Sequence, residues 1–190
     1  MGRRSLHGQA TPAAVIRTPR LILRDFRHSD LDAYCQLRAH EDFLQFSSLR
    51  DVSAERSGEL LREFQRWATE NPRLRFQLAI EEPGVGLLGS CGLRITDAEQ
   101  GQASFGCELG PEYWGNGYAL EAARALIGYG FAELAVHRVM AETLAENRSA
   151  LSLARRLGMR IEGRHRESRH FRDRWWDTVT LAILSSEWEE

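Results

Sequence analysis

What most restricts the fold of this chain is the order in which two hydrophobic periodicities follow one another along its 190 residues. Runs that alternate apolar and polar positions read as strands, and runs with apolar residues three and four apart read as helices. Arg20–Arg27 (RLILRDFR), rich in branched apolar residues, predicts a first strand. Ser29 or Asp30 is then placed to cap a helix to about His40, with Leu31, Tyr34 and Leu37 on one face. Ser53–Glu70 predicts a second helix through Leu60, Leu61, Phe64 and Trp67, ended by Asn71-Pro72. Leu74–Glu82, Leu87–Thr96 and Gln102–Gly110, parted by Pro83-Gly84 and by the polar stretch Asp97–Gly101, predict an antiparallel meander. A turn at Pro111–Gly117 leads to a helix near Tyr118–Leu134, then a strand at His137–Ala145 and a helix at Asn147–Leu157 stopped by Gly158. Met159–Phe171 and Arg174–Ser186 predict a long hairpin. This order, β-α-α-β-β-β-α-β-α-β-β, predicts one α/β (α+β) domain over residues 14–190, with a mixed, mostly antiparallel seven-stranded sheet and helices on both faces.

Composition removes several chemistries. All 25 basic residues are arginine, so a P-loop lysine, a Schiff base and a lysine general base are excluded. The cysteines, Cys35, Cys91 and Cys107, are odd in number and form no C-x-x-C pair, which argues against a disulfide framework and for a reducing compartment. The six histidines are scattered, and no metal site is expected. A net charge of -2 gives no global reason to expect nucleic acid or a membrane surface as partner. Residues 1–13 (MGRRSLHGQATPA) hold no apolar core suited to a secretion signal and read as a disordered segment. No run approaches the roughly 18 apolar residues of a membrane span, and the expected location is the cytoplasm. The oligomeric state stays open, a homodimer included.

Two segments imitate other functions. Gly84–Gly89 (GVGLLG) fits the dinucleotide pattern G-x-G-x-x-G, but the residues after it, SCGLRI, look extended where that motif requires a helix, so it reads as a hairpin turn. Arg164–Arg174 holds five arginines, with Phe171 inside it and Trp175 and Trp176 beside it, a mixture able to bind single-stranded nucleic acid. The plainer reading is a solvated hairpin tip with core aromatics at its base.

The informative stretch is Glu108–Ala123, ELGPEYWGNGYALEAA, in which a strand ends, a glycine-containing turn follows and a helix begins. Gly115 and Gly117 allow the backbone to come close to a bulky ligand. The turn's amides and the open N–H groups of the first helical turn bind phosphate without lysine. On spacing alone, a plain strand-to-helix turn is an equal reading.

Trp114-Gly115-Asn116-Gly117-Tyr118-Ala119 resembles the signature Q/R-x-x-G-x-G/A of the GNAT superfamily of N-acetyltransferases, with tryptophan at the first place as in its RimJ/RimL-like branch. Glu146–Met159 (ENRSALSLARRLGM) is similar to that family's asparagine-led helix ending in Leu-Gly. Thr18-Pro19-Arg20-Leu21, Glu162-Gly163, Trp176-Asp177 and Leu184–Trp188 match further in the expected order, so the likeness spans about residues 17–188. It implies a V-shaped sheet in which Gln102–Gly110 and His137–Ala145 splay apart around acetyl-CoA. The pantetheine arm would pair with backbone at Leu109 and Gly110, beside Trp114. The diphosphate would rest on amides of Asn116, Gly117, Tyr118, Ala119 and Leu120, and Asn147 would bond the cofactor, cap its helix, or do both.

The implied reaction is direct attack of an amine, a protein N-terminal α-amine or a small amine, on the thioester in a ternary complex. Glu108 is the candidate base, with a strand residue facing solvent as the alternative, and Asp177 is a candidate for holding the cationic acceptor. Many relatives place a tyrosine where Ala154 stands, and RimL-like ones a serine where Ala150 stands. Ser149 and Ser152 are nearby, and Ser152, a helical turn or so beyond Asn147, is the preferred candidate acid for the leaving thiolate, with water as its rival. A catalytically weak CoA-binding sensor and a nucleic-acid binder using the arginine hairpin are the alternative functions.

Overall fold

Alternating apolar side chains build one sheet, and helices pack on its two faces, in a computed structural model that describes residues 15–46 and 52–189. Residues 1–13, expected to be disordered, lie outside the described residues. The strands are β1 (Val15–Arg17), β2 (Ile22–Asp25), β3 (Arg75–Glu82), β4 (Gly86–Asp97), β5 (Gln102–Leu109), β6 (Arg138–Leu144), β7 (Arg160–Phe171) and β8 (Arg174–Leu184). The helices are α1 (Leu31–Ala39), α2 (Glu41–Leu44), α3 (Ala54–Ala68), α4 (Tyr118–Glu133) and α5 (Arg148–Arg156).

The sheet runs β1-β2-β3-β4-β5-β6-β8-β7 and has eight strands, one more than the sequence predicts. The addition is β1, which pairs Val15–Arg17 with Ile22–Arg24 at the sheet edge. Three residues are too few to display a period of two, so β1 leaves no sequence signal. The segment after GVGLLG is indeed a strand, β4, paired with β3, and the dinucleotide pattern is a hairpin turn.

Strand alternation divides the core. Phe76, Leu78 and Ile80 of β3 join Ala122, Ala123, Leu126 and Ile127 of α4 and Ala154 of α5 in the larger cluster. Ala79, on the opposite face, packs with Tyr34 of α1 and with Leu61, Phe64 and Trp67 of α3. The first helix begins as expected at Asp30, but the Asp30 carboxylate does not cap it. It takes a fork from Arg24 at 2.7 and 2.9 Å and the Arg27 amide at 2.7 Å. Burial alone would push the Asp30 carboxyl up; the Arg24 and Arg27 donors outweigh that and hold it below the ordinary value.

Every neighbouring pair is antiparallel except β5 and β6. Those two are parallel and paired only from Gln102↔Arg138 to Ser104↔Met140. Beyond Ser104, β5 stays on β4 as far as Gly89↔Leu109, while β6 stays on β8 as far as Leu144↔Thr178. Each strand is held by its outer neighbour, so the sheet opens between them at Phe105, as the splayed-strand expectation requires.

Candidate functional site

The opened strands point to the turn that follows β5. After Leu109 the chain makes a 3-10 turn, Pro111–Tyr113, and reaches α4 through Trp114-Gly115-Asn116-Gly117. Gly115 and Gly117 have φ of 78° and 81°, left-handed values that side chains resist. A Cβ at Gly115 would meet nothing within 4 Å, so that glycine serves the backbone path, and the outside of the turn is open. The Glu121 N–H donates to the Gly117 carbonyl as the first rung of the helix. The amides of Tyr118, Ala119 and Leu120 therefore precede the ladder at the positive end of α4, where an anion is favoured.

The gap between the strands is a slot of about 180 Å³ lined by Phe105, Gly106 and Cys107 of β5, Ala141 and Thr143 of β6 and the inner side of α5. Pockets for drug-sized ligands measure roughly 300–1,000 Å³, so this slot is narrow by comparison. The Gly110 N–H donates to the Leu88 carbonyl across to β4. Alternation along the strand then turns the Leu109 N–H the other way, into the gap. Leu109 thus offers a donor to an arm lying there, and Gly110 does not, which corrects the expectation for Gly110. The Leu109 carbonyl is taken by the Trp114 indole N–H at 2.9 Å, and Trp114 stays 45% exposed.

Asn147 caps α5, its Oδ1 accepting from the Ala150 N–H at 3.0 Å, and it also lines the slot. Its NH2 group is the part left to reach a ligand. Ala150, Ala154 and Leu157 share that lining face. Ser152 is exposed and is not among the lining residues. Five residues past Asn147 is about 140° around the helix, so Ser152 leaves the lining face and is not brought to the slot where it was expected. Cys107 does reach the slot, but burial, aided by the Glu108 charge, pushes its thiol up to about 12. It stays protonated and is no nucleophile for an acyl-enzyme.

Glu108 points to the other face of the sheet, toward α1. Its Oε1 accepts from the Tyr34 hydroxyl at 2.6 Å and the Ser90 hydroxyl at 2.9 Å, and Arg38 Nη1 lies 3.0 Å from Oε2. Tyr34 and Ser90 are fully buried, and Ser90 in turn accepts from Gln77 at 3.0 Å. Burial, reinforced by the Glu108 charge, pushes the Tyr34 hydroxyl up, so it remains a neutral donor. Oε1 is saturated and Oε2 is the oxygen with capacity left. Sequence reading missed Tyr34, Arg38 and Ser90 as parts of this site.

Asp177 is not brought to Glu108. It shares a face with Val179 and Leu181, which pack in the α4–α5 core, and it accepts from Arg164 at 2.9 Å and from the Glu167 amide at 2.8 Å. Those donors, the amide first, hold its carboxyl below the ordinary value and fasten an irregularity in β7. The arginine hairpin is likewise committed: Arg164 pairs with Asp177, Arg169 with Glu142 and Arg174 with Glu146, and Phe171 stacks on the buried Trp176. Three of its five arginines are thus paired with carboxylates. Among the described residues, no group of three or more His, Cys, Asp or Glu is placed to hold a metal, and no helix is long and apolar enough to cross a membrane.

Known proteins are similar to this chain in sequence and in fold. The family described as "Acetyltransferase (GNAT) domain" matches residues 20–160. An uncharacterized N-acetyltransferase, p20, from Bacillus licheniformis is 30% identical over 174 residues, which cover 90% of this chain and 96% of the relative. Spermidine N-acetyltransferase from Vibrio cholerae, solved in complex with CoA and spermine, has a similar fold (TM-score 0.76, 22% identity, 90% of this chain and 98% of that one). Mycobacterium smegmatis RimJ, in complex with CoA-disulfide, does too (TM-score 0.78, 18% identity, 94% and 89%). The family match, with the fold, defines an acyltransferase. The chain belongs to the GNAT acetyltransferases, and it is an N-acetyltransferase that takes its acetyl group from acetyl-CoA.

Proposed function

We propose that the protein transfers the acetyl group directly to a primary amine in a ternary complex, and that weakly basic α-amines, such as protein or peptide N-termini, are better acceptors than alkyl amines. The observation that carries this reading is the placement of Glu108 Oε2 and the Leu109 N–H on adjacent residues of the opened strand. Acetyl-CoA supplies the thioester carbonyl that the amine attacks. The amides of Asn116 to Leu120 hold its diphosphate, Leu109 and the Asn147 NH2 group fix its arm, and Trp114 covers the entrance. The Leu109 N–H polarises the carbonyl, and Glu108 Oε2 takes the amine's proton, directly or through a water.

Energetics favour the α-amine. At pH 7, neutralising an amine of pKa about 8 costs roughly 1.4 kcal/mol, against roughly 4.6 kcal/mol for one near 10.4. A carboxylate whose charge is shared with Arg38 and two hydroxyls is suited to the smaller task. With Ala150 and Ala154 on the lining face, the thiol leaves without a side-chain acid; a thiol of pKa about 8.5 can depart as thiolate at pH 7 for about 2 kcal/mol. Spermidine, the substrate in the name of the Vibrio cholerae neighbour, is the competing small-amine acceptor.

The test is an acceptor screen that reads free thiol release from acetyl-CoA, with N-terminal peptides, amino acids and polyamines compared at pH 7. Higher kcat/KM for α-amines supports the reading, and a preference for spermidine refutes it. Saturating CoA should also raise the melting point: at a hundred times Kd, binding contributes about 2.7 kcal/mol.

A further inference from the structure

The segment Thr18-Pro19-Arg20-Leu21 stands outside the slot, yet it reaches directly into the phosphate turn. Thr18 closes a tight turn, its N–H donating to the Leu21 carbonyl at 2.9 Å and its hydroxyl accepting from the Leu21 N–H at 2.9 Å. That turn delivers Arg20 to the start of α4. Arg20 Nη1 donates to the Asn116 carbonyl at 3.0 Å, and its Nε and Nη2 each lie 2.7 Å from Glu121 Oε2. The Thr18 hydroxyl and the Arg20 amide hold the other Glu121 oxygen at 2.6 and 3.0 Å. The guanidinium also lies over the Tyr118 ring, 4.5 Å from its centre, and Tyr118 is itself tied to Glu82 at 2.8 Å. A Cβ on Gly117 would come within 3.5 Å of Arg20 Nη2.

Two consequences follow. The turn from Gly115 to Gly117 has two left-handed residues, and besides the bonds of the Asn116 side chain to the Tyr113 and Trp114 carbonyls its backbone is held from outside by Arg20 at the Asn116 carbonyl. Glu121 puts a carboxylate in the first turn of α4, on the end where a diphosphate would bind, and Arg20 is the cation that balances it. We propose that Arg20 is a positioning residue for the diphosphate of coenzyme A. It acts through Asn116 and Glu121, fixing the turn so that its amides face the ligand and neutralising the carboxylate that would repel it. This rests on the phosphate-turn reading of the proposed function.

The experiment compares two ligands, CoA and pantetheine, the latter lacking the diphosphate and nucleotide, on the wild type, Arg20→Gln and the double variant Arg20→Gln/Glu121→Gln. Calorimetry gives Kd for CoA, and thermal shift at millimolar ligand gives Kd for pantetheine. Arg20→Gln should weaken CoA about tenfold, equivalent to about 1.4 kcal/mol, and leave pantetheine within twofold. The double variant should regain part of that loss, because it removes the uncovered charge. An unchanged CoA affinity, or an equal loss for both ligands, overturns the proposal; equal loss would mean a general structural role. Wild-type protein that binds CoA no better than pantetheine would instead overturn the phosphate turn itself. If Arg20→Gln does not fold, Arg20→Lys, which keeps the charge but cannot bridge two acceptors, should still weaken CoA more than pantetheine, and an unchanged CoA affinity or an equal loss for both ligands overturns the proposal.

Discussion

Replacing Glu108 by glutamine tests the centre of the proposed site. The substitution keeps shape and an oxygen for the Tyr34 and Ser90 hydroxyls, but removes the charge that balances Arg38. The Arg38 side chain is 9% exposed and that of Glu108 24%. Breaking a buried pair by removing one partner costs about 3–5 kcal/mol; because Glu108 is partly reached by solvent, about 2–3 kcal/mol is the expected loss for Glu108→Gln. For a chain of 150–250 residues each kcal/mol moves Tm by about 2–4 °C, so the melting point should fall by about 4–12 °C. Urea denaturation at pH 7 measures the free energy, and a cycle with Arg38→Met isolates the pairing, with a coupling above about 1 kcal/mol expected. Activity is measured well below both melting points, so that only chemistry is compared. General-base loss typically costs about 10²–10⁴-fold, and kcat/KM for the acceptor should fall by at least about 10². Stability within about 0.5 kcal/mol of wild type would refute the electrostatic account. An unchanged rate at pH 7 would refute the proton-accepting role.

Three further outcomes are expected. Ser152→Ala should leave the transfer rate within twofold and stability within about 0.5 kcal/mol, since the residue is exposed on α5 and away from the slot; a large rate loss would reinstate it as the acid. Asn147→Ala should cost about 1 kcal/mol by loss of the α5 cap and also weaken CoA binding, read by denaturation and calorimetry. Asp30→Asn should destabilise by about 3 kcal/mol at pH 7, because the Arg24 and Asp30 side chains are only 8% exposed each. The Asp30 carboxyl is held low in the fold, so its contribution is present above about pH 4 and is lost as pH falls through the folded value. The gap between wild type and Asp30→Asn should therefore narrow in urea titrations run from pH 7 down to pH 3.

The features legible in the sequence are those whose cause is local. The turn before α4 could be read because its glycines, aromatic residue and helix start are adjacent in sequence, and the long hairpin because the β7 and β8 patterns flank one tight turn. The partners of Glu108 have no such proximity: Tyr34 is 74 residues away and looks like one more apolar position of an amphipathic helix. A signal did exist in α1. Arg38 falls four residues after Tyr34, on the face with Leu31 and Leu37, where a solvated arginine would not be expected. An arginine on the apolar stripe of a helix points to a nearby anion, and Glu108 is the one that Arg38 meets. Ser152 lies off the cleft for the opposite reason, its angle on the helix: positions 3, 7 and 10 after Asn147 face the slot, and position 5 does not. The fold was thus readable from period, whereas the site depends on which faces the periods bring together. Helix phase, counted residue by residue from Asn147 and Tyr34, is what selects Ala154 over Ser152 for the cleft and joins Arg38 to Glu108.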